Sequence, residues 1–431
     1  MHTLYTCILY NLDTFVLYIY LYTFPVPSYA KCLVGGLAIV IGWPSAFLPA
    51  CGPRCPRKVD LSLVPSCAVL VLLKLASSSS TSVHDLHHVS RLASSLLLLA
   101  ALVRANSHDH AAADHNLRAQ RLAKKQDGAR VFNLVDSAEG PNFFDSWAFM
   151  TFDDPTHGLV QYVDRDTAFA KGLAYVRDDG IAVMRVDNTT WLADGQKRNS
   201  VRIHTAKSYG QGLFIADILQ MPYGCSVWPA FWSNGANWPA GGEIDVIEMI
   251  HNSTSNQSTL HTTPGCHLDT SRYNPDPKQH ISAKTFTGQV VTTNCDAAVD
   301  NNVGCGIRND DPSSYGFGLN GAGGGVVAAL WNEDGIRIWH FARANVPADI
   351  DAKTPNPDTW PAPVAFWSTD TCPTSQFFTD QSFIFNITLC GDLGNGSFNE
   401  YDCPGTCSAW VMDPAHFRTA IWKVKYFRVY Q

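Results

Sequence analysis

From residue 131 onward the apolar positions fall into short runs: 181–186, 200–205, 213–219, 326–331, 336–342, 383–389 and 422–430. Several alternate with polar residues, and clusters of Gly, Pro, Asn and Asp separate them. Alternation at period two places one side of a strand in a core. No stretch sustains the 3.6-residue period of a long amphipathic helix. Many short strands between turn signals predict an all-β sandwich. The chain before residue 131 is patterned differently. Longer apolar runs at 14–27, 32–50, 61–76 and 92–103 alternate with short polar or Pro-rich stretches. Each is at or below the ~20 residues that cross a bilayer. Arg91, the run 92–103 and Arg104-Ala105-Asn106 fit a secretory signal peptide at about 91–105. That signal is internal, and no Met lies between Met1 and Met150. The expectation is therefore a leader over 1–105, whose first part is upstream sequence or separately cleaved. A polar linker over 106–130 and a folded domain over 131–431 follow.

Within that domain one stretch breaks the strand rhythm: Gly241-Gly242-Glu243-Ile244-Asp245-Val246-Ile247-Glu248. Ile and Val at this density favour a strand, so Glu243 and Asp245 share a face. Glu248 is out of phase by one residue. A β-bulge at Val246 and Ile247 would return it to that face, and bulges re-aim side chains beside active sites. Three crowded carboxylates repel, so one tends to keep its proton. An ionised and a protonated carboxyl, about 5–5.5 Å apart, are what retaining glycoside hydrolysis needs. An exposed acidic strand edge or a cation site is the plainer alternative.

The flanks favour the sugar chemistry. Trp228, Trp232 and Trp238 lie upstream in Val227-Trp228-Pro229-Ala230-Phe231-Trp232-Ser233-Asn234-Gly235-Ala236-Asn237-Trp238-Pro239. Indole faces are flat and apolar, with one N–H donor, and suit stacking on a sugar ring. Downstream stands His261-Thr262-Thr263-Pro264-Gly265-Cys266. The Glu-x-Asp-x-x-Glu signature with these flanks resembles glycoside hydrolase family 16. It is most similar to the fungal secreted endo-1,3(4)-β-glucanases, or laminarinases.

The resemblance covers 131–431 and implies a concanavalin A-like β-jelly roll of two curved antiparallel sheets. It implies Glu243 as nucleophile, Glu248 as acid/base, and Asp245 as the residue that hydrogen-bonds and orients Glu243. Trp232 and Trp238 become stacking residues, while Trp228 fits stacking or the core. His261 matches a histidine near the acid/base. Arg198 and Asn199 match a loop that reaches the sugar cleft. The implied chemistry needs no metal or cofactor, and a structural calcium, found in some members of the family, is left open. One departure is Ala329-Leu330-Trp331, which lacks the Glu often found before that Trp. Two other functions share these features. One is a cell-wall glucan transglycosylase, whose signature in the superfamily is the shorter Glu-x-Asp-x-Glu. The other is a non-catalytic glucan-binding module, in which the acids are typically lost.

Composition narrows the partners. The net charge is −7 with 31 basic residues, and no long basic run suggests nucleic acid. Twelve Trp in 431 residues suit a carbohydrate surface. The expected partner is a β-glucan, met by a monomer, with a membrane involved only if the leader is retained. Of 13 cysteines, eight lie in the domain. An even count beside a secretion signal predicts disulfides of open connectivity, with zinc at Cys403-x-x-x-Cys407 the alternative. Asn188, Asn252, Asn256, Asn386 and Asn395 begin Asn-x-Ser/Thr triplets. Together these place the protein outside the cell or in its wall.

Overall fold

The computed structural model describes residues 131–274 and 285–431, plus the backbone of three short strands near the start. The chain divides into two units, 1–123 and 124–431. In the first, β1 (Tyr10–Leu12), β2 (Phe15–Leu21) and β3 (Leu37–Val40) form an antiparallel sheet. β2 and β3 fall inside the apolar runs 14–27 and 32–50. The proposed signal peptide and linker lie outside the described residues. Among the described residues no helix is long and apolar enough to cross a membrane.

The second unit is built from two large antiparallel sheets. The first runs β15 (Gln289–Val290), β16 (Cys305–Asn309), β14 (Asn256–His261), β13 (Glu243–Glu248), β12 (Val227–Asn234), β20 (Ser382–Leu389), β10 (Arg202–Thr205) and β5 (Trp147–Phe149). The second runs β19 (Ala365–Ser368), β18 (Gly335–Ala342), β17 (Gly325–Asn332), β11 (Gly212–Gln220), β21 (Ile421–Tyr430), β8 (Ala182–Arg185) and β7 (Ala174–Val176). In that sheet β4 (Leu134–Glu139) also pairs β21. β6 (Val160–Tyr162) and β9 (Arg198–Ser200) make a small parallel pair. Among the described residues no helix exceeds seven residues. The seven runs read from the sequence all became strands.

The core between the sheets is aromatic. Phe231 stacks on Phe385 at 4.4 Å, and Phe383 lies 4.4 Å from Phe214 on the opposite sheet. Burying each such side chain contributes about 1.5–3 kcal/mol. The second sheet is buried on both faces. On β17, Val327, Ala329 and Trp331 enter the shared core, whereas Val326, Ala328 and Leu330 enter a second apolar cluster. The excursion between β18 and β19 supplies Ile350 and Trp360 to that cluster. Trp331, the aromatic of the Ala-Leu-Trp departure, is thus a core residue. Among the described residues the first sheet has no such apolar cover on its outer face, and that polar face forms the cleft.

The domain's eight cysteines pair as Cys225–Cys403, Cys266–Cys372, Cys295–Cys305 and Cys390–Cys407. Cys266, Cys295 and Cys305 cluster closely enough to suggest a metal, but their sulfurs are spent in disulfides. Cys403 and Cys407 join different partners, which overturns the zinc alternative for that spacing.

Candidate active site

The cleft begins with the step into β13. Gly242 has φ +73°, and a Cβ there would come within 2.4 Å of Phe378 Cδ1. Only glycine fits both the conformation and the space. β13 then contains the bulge expected from the sequence. On β12, Ala230, Trp232 and Asn234 pair with Glu248, Asp245 and Glu243. On β14, Gln257, Thr259 and His261 pair with the same three acids. Those partners are spaced by two and share one face, so all three acids face the cleft. The extra residue lies between Asp245 and Glu248, and Val246 and Ile247 are both buried in the core.

A bulge leaves backbone groups unpaired, and Asn256 satisfies them. Its Nδ2 donates to Val246 O at 2.9 Å, and its Oδ1 accepts from Glu248 N at 3.0 Å. Ser258 Oγ also donates to Val246 O at 2.9 Å.

Each acid has different company. Glu243 accepts a hydrogen bond from Trp238 Nε1–H. Glu248 accepts from Trp228 Nε1–H at 3.0 Å. Asp245, 1% exposed, meets His261, whose Nε2 stands 3.3 Å from Oδ2. That contact is an ion pair rather than an aligned hydrogen bond. The expected hydrogen bond from Asp245 to Glu243 is replaced by this contact with His261. Burial, then repulsion from Glu243 and Glu248, raises the Asp245 pKa well above the carboxylate range, with His261 opposing. Burial also raises Glu248. Glu243 adds to that rise, while His261 and the Trp228 N–H oppose it. Burial alone would lower the His261 pKa, but Asp245 and the charges of Glu243 and Glu248 lift it to about 10. One imidazolium therefore stands among three crowded carboxyl groups.

The other residues singled out from the sequence divide. Trp238 is 44% exposed and, with Asn234, His204, Thr379, Asp380 and Ser382, lines a cavity of about 730 Å³ beside Glu243. Trp232 faces the cleft. Its Nε1 donates to Asn386 Oδ1 at 2.7 Å, and the Arg202 guanidinium lies 5.0 Å from its ring centroid. Trp228 also faces the cleft rather than the core. His261 is in place beside the acids.

Arg198 is not. It is 0% exposed and spends its guanidinium on the carbonyls of Val411, Met412, Asp187 and Thr190. Every donor is turned inward, so Arg198 is a structural anchor and not a cleft residue. Asn199 sits with it in the β6–β9 pair, outside the cleft sheet. Arg202 carries the cation that was sought at Arg198: it pairs with Asn386 on the cleft face. Asn256 and Asn386, read from the sequence as glycan acceptors, are 5% and 6% exposed and committed to this site.

Comparison with known proteins agrees with this geometry. A family profile described as XgeA-like, catalytic GH16 domain, matches residues 147–430. A Schizosaccharomyces pombe protein described as a probable glycosidase is 39% identical over 307 residues, covering 70% of each chain. An endo-1,3(4)-β-glucanase of Arthroderma benhamiae is 36% identical over 320 residues, covering 70% of this chain and 66% of the relative. A probable endo-1,3(4)-β-glucanase of Aspergillus clavatus is 35% identical, and the match spans 47% of its length. Among solved structures, Laminarinase 16A from Phanerochaete chrysosporium, with 6-O-glucosyl-laminaritriose in its donor and acceptor sites, is 38% identical. It has a TM-score of 0.66 and covers 70% of this chain and 100% of that one. A GH family 16 β-1,3-glucosyltransferase is 32% identical, with a TM-score of 0.64 and coverage of 70% and 100%.

Proposed function

The chain belongs to glycoside hydrolase family 16, and we propose that it is an endo-acting hydrolase of β-1,3- or mixed β-1,3/1,4-glucans. The observation that carries this reading is the bulge, which turns Glu243 and Glu248 to one face of an open, aromatic-lined cleft. Glu243 attacks the anomeric carbon and forms a glycosyl-enzyme. Glu248, with its raised pKa, gives its proton to the departing glycosidic oxygen. Glu248 then takes a proton from water, the water displaces Glu243, and the anomeric configuration is retained. Glu243 accepts from the Trp238 N–H and shares the crowd with the positive charge on His261. Asp245 takes up the near side of the imidazolium and spaces the two glutamates along β13.

Trp238 supplies a stacking face, and Arg202 and Trp232 build a second wall beside it. The four disulfides of the domain support an extracellular or cell-wall location. The enzyme acts as a monomer on polysaccharide and needs no cofactor. A second reading comes from the solved glucosyltransferase relative. The same acids can pass the glycosyl group to another glucan instead of to water.

Incubation with laminarin, lichenan and a labelled oligosaccharide acceptor tests both. The hydrolase reading expects new reducing ends that are initially β, seen by proton NMR. Label moving into longer glucans would favour transfer. Intact substrates and acceptor under all conditions would leave a binding module.

A further inference from the structure

We propose that Asn302 is a positioning residue that acts through His261, fixing the edge of the imidazole that faces away from the acids. His261 Nδ1–H donates to Asn302 Oδ1 at 2.8 Å. With that nitrogen tied, Nε2 is aimed at Asp245 Oδ2, 3.3 Å away.

The segment that carries Asn302 is built to hold it there. Its ends, Cys295 and Cys305, are joined by a disulfide. Thr262, next to His261, donates to Cys295 O at 2.7 Å and accepts from Ala297 N at 2.9 Å. Asp300, Asn301 and Asn302 all have positive φ, between 50° and 61°. Three successive non-glycine residues in that region are costly. Their surroundings impose this shape, and it brings the Asn302 amide to the ring. Gly304 packs so closely that a Cβ would lie 2.8 Å from His261 Cε1.

The charged groups facing the ring are Asp245, Glu243 and Glu248, all on β13. The loop meets it with a neutral amide and a glycine. Asn302 therefore adds no charge of its own. It sets where the imidazolium charge sits relative to the three carboxyl groups.

The inference rests on the reading of Glu243 and Glu248 as the catalytic pair, and its test separates the two. Asn302→Gly removes the acceptor while suiting φ +61°. Asn302→Asp keeps an acceptor. In the whole protein, the His261 Cε1–H resonance is titrated by NMR, which needs no activity. The glycine variant should lower the His261 pKa by about one unit or more, and the aspartate variant should not. On laminarin, the glycine variant should move both limbs of the kcat/KM profile upward by about half a unit. Its KM should stay within about twofold, and the aspartate variant, which keeps the acceptor and adds a carboxylate beside the ring, should raise the His261 pKa instead. An unchanged His261 titration in the glycine variant overturns the inference. Equal activity loss in both variants with the wild-type pH profile also overturns it, since that marks a merely structural loop. If the wild type cleaves no glucan, the glucanase reading fails while the titration still decides Asn302.

Discussion

Two histidines, one on each large sheet, start from the same ordinary pKa of 6.5 and end far apart. His261 on β14 rises to about 10, and His340 on β18 falls to about 4. Both are withdrawn from water, and burial lowers both. The difference lies in what surrounds them. His261 lies among three carboxyl groups and is tied at both nitrogens. His340 shares its side of β18 with Ile336 and Ile338, and neither ring nitrogen has a partner among the described residues. Only Asp311 pulls its pKa the other way. The cleft sheet thus gathers charge into one place, whereas the covered sheet keeps an ionisable ring neutral. Groups whose pKa values are shifted this far by burial and by named charged neighbours are candidates for a functional site.

The largest effect that sharpens this contrast is on the crowd itself. Glu243→Gln should cut glucan hydrolysis by at least about 10³-fold. Because it also removes a repelling charge, it should not lower the thermal midpoint. A variant that hydrolyses at near wild-type rate would remove Glu243 from the nucleophile's role.

His340 should show itself in acid. A folded pKa below the unfolded one means that the native state resists protonation, so stability falls as pH drops from 6.5 toward 4. The loss should approach roughly 3 kcal/mol at 1.36 kcal/mol per unit. Urea titrations at a series of pH values should find that slope in the wild type and a flatter one in His340→Leu. Equal slopes would place the acid sensitivity elsewhere. His261 has the opposite sign: the stability it confers is complete below 6.5 and is lost as pH rises toward 10.

The smallest effect concerns Trp228. Its N–H lowers the Glu248 pKa, so Trp228→Phe should raise it and move the alkaline limb of the activity profile up by a few tenths of a unit. The rate at the optimum should stay within about threefold. A limb that moves down would mean that the ring, and not its N–H, governs Glu248.

Much of the fold was legible because strand alternation is local. The bulge was legible too, since a carboxylate out of phase by one residue next to two apolar neighbours has few explanations. What escaped depends on contacts distant in sequence. Arg198 and Arg202 lie four residues apart, and only the passage of the chain from the small parallel pair into the cleft sheet decides which one reaches the sugar side. Asn256 and Asn386 carry a glycosylation triplet that reports on two neighbours and not on burial. Asn302 meets His261 across 41 residues. A local window does not reveal the disulfide that holds its loop.

The strand nearest the C-terminus occupies an interior place. β21 pairs β11 along one edge and β8 and β4 along the other, and Asn133 exchanges backbone hydrogen bonds with Gln431. During synthesis the ribosome delivers β4 roughly half a minute before β21, at about 5–20 residues per second. For that interval β4, β8 and β11 lack the strand that unites them, so the sandwich closes only after residue 430 has emerged.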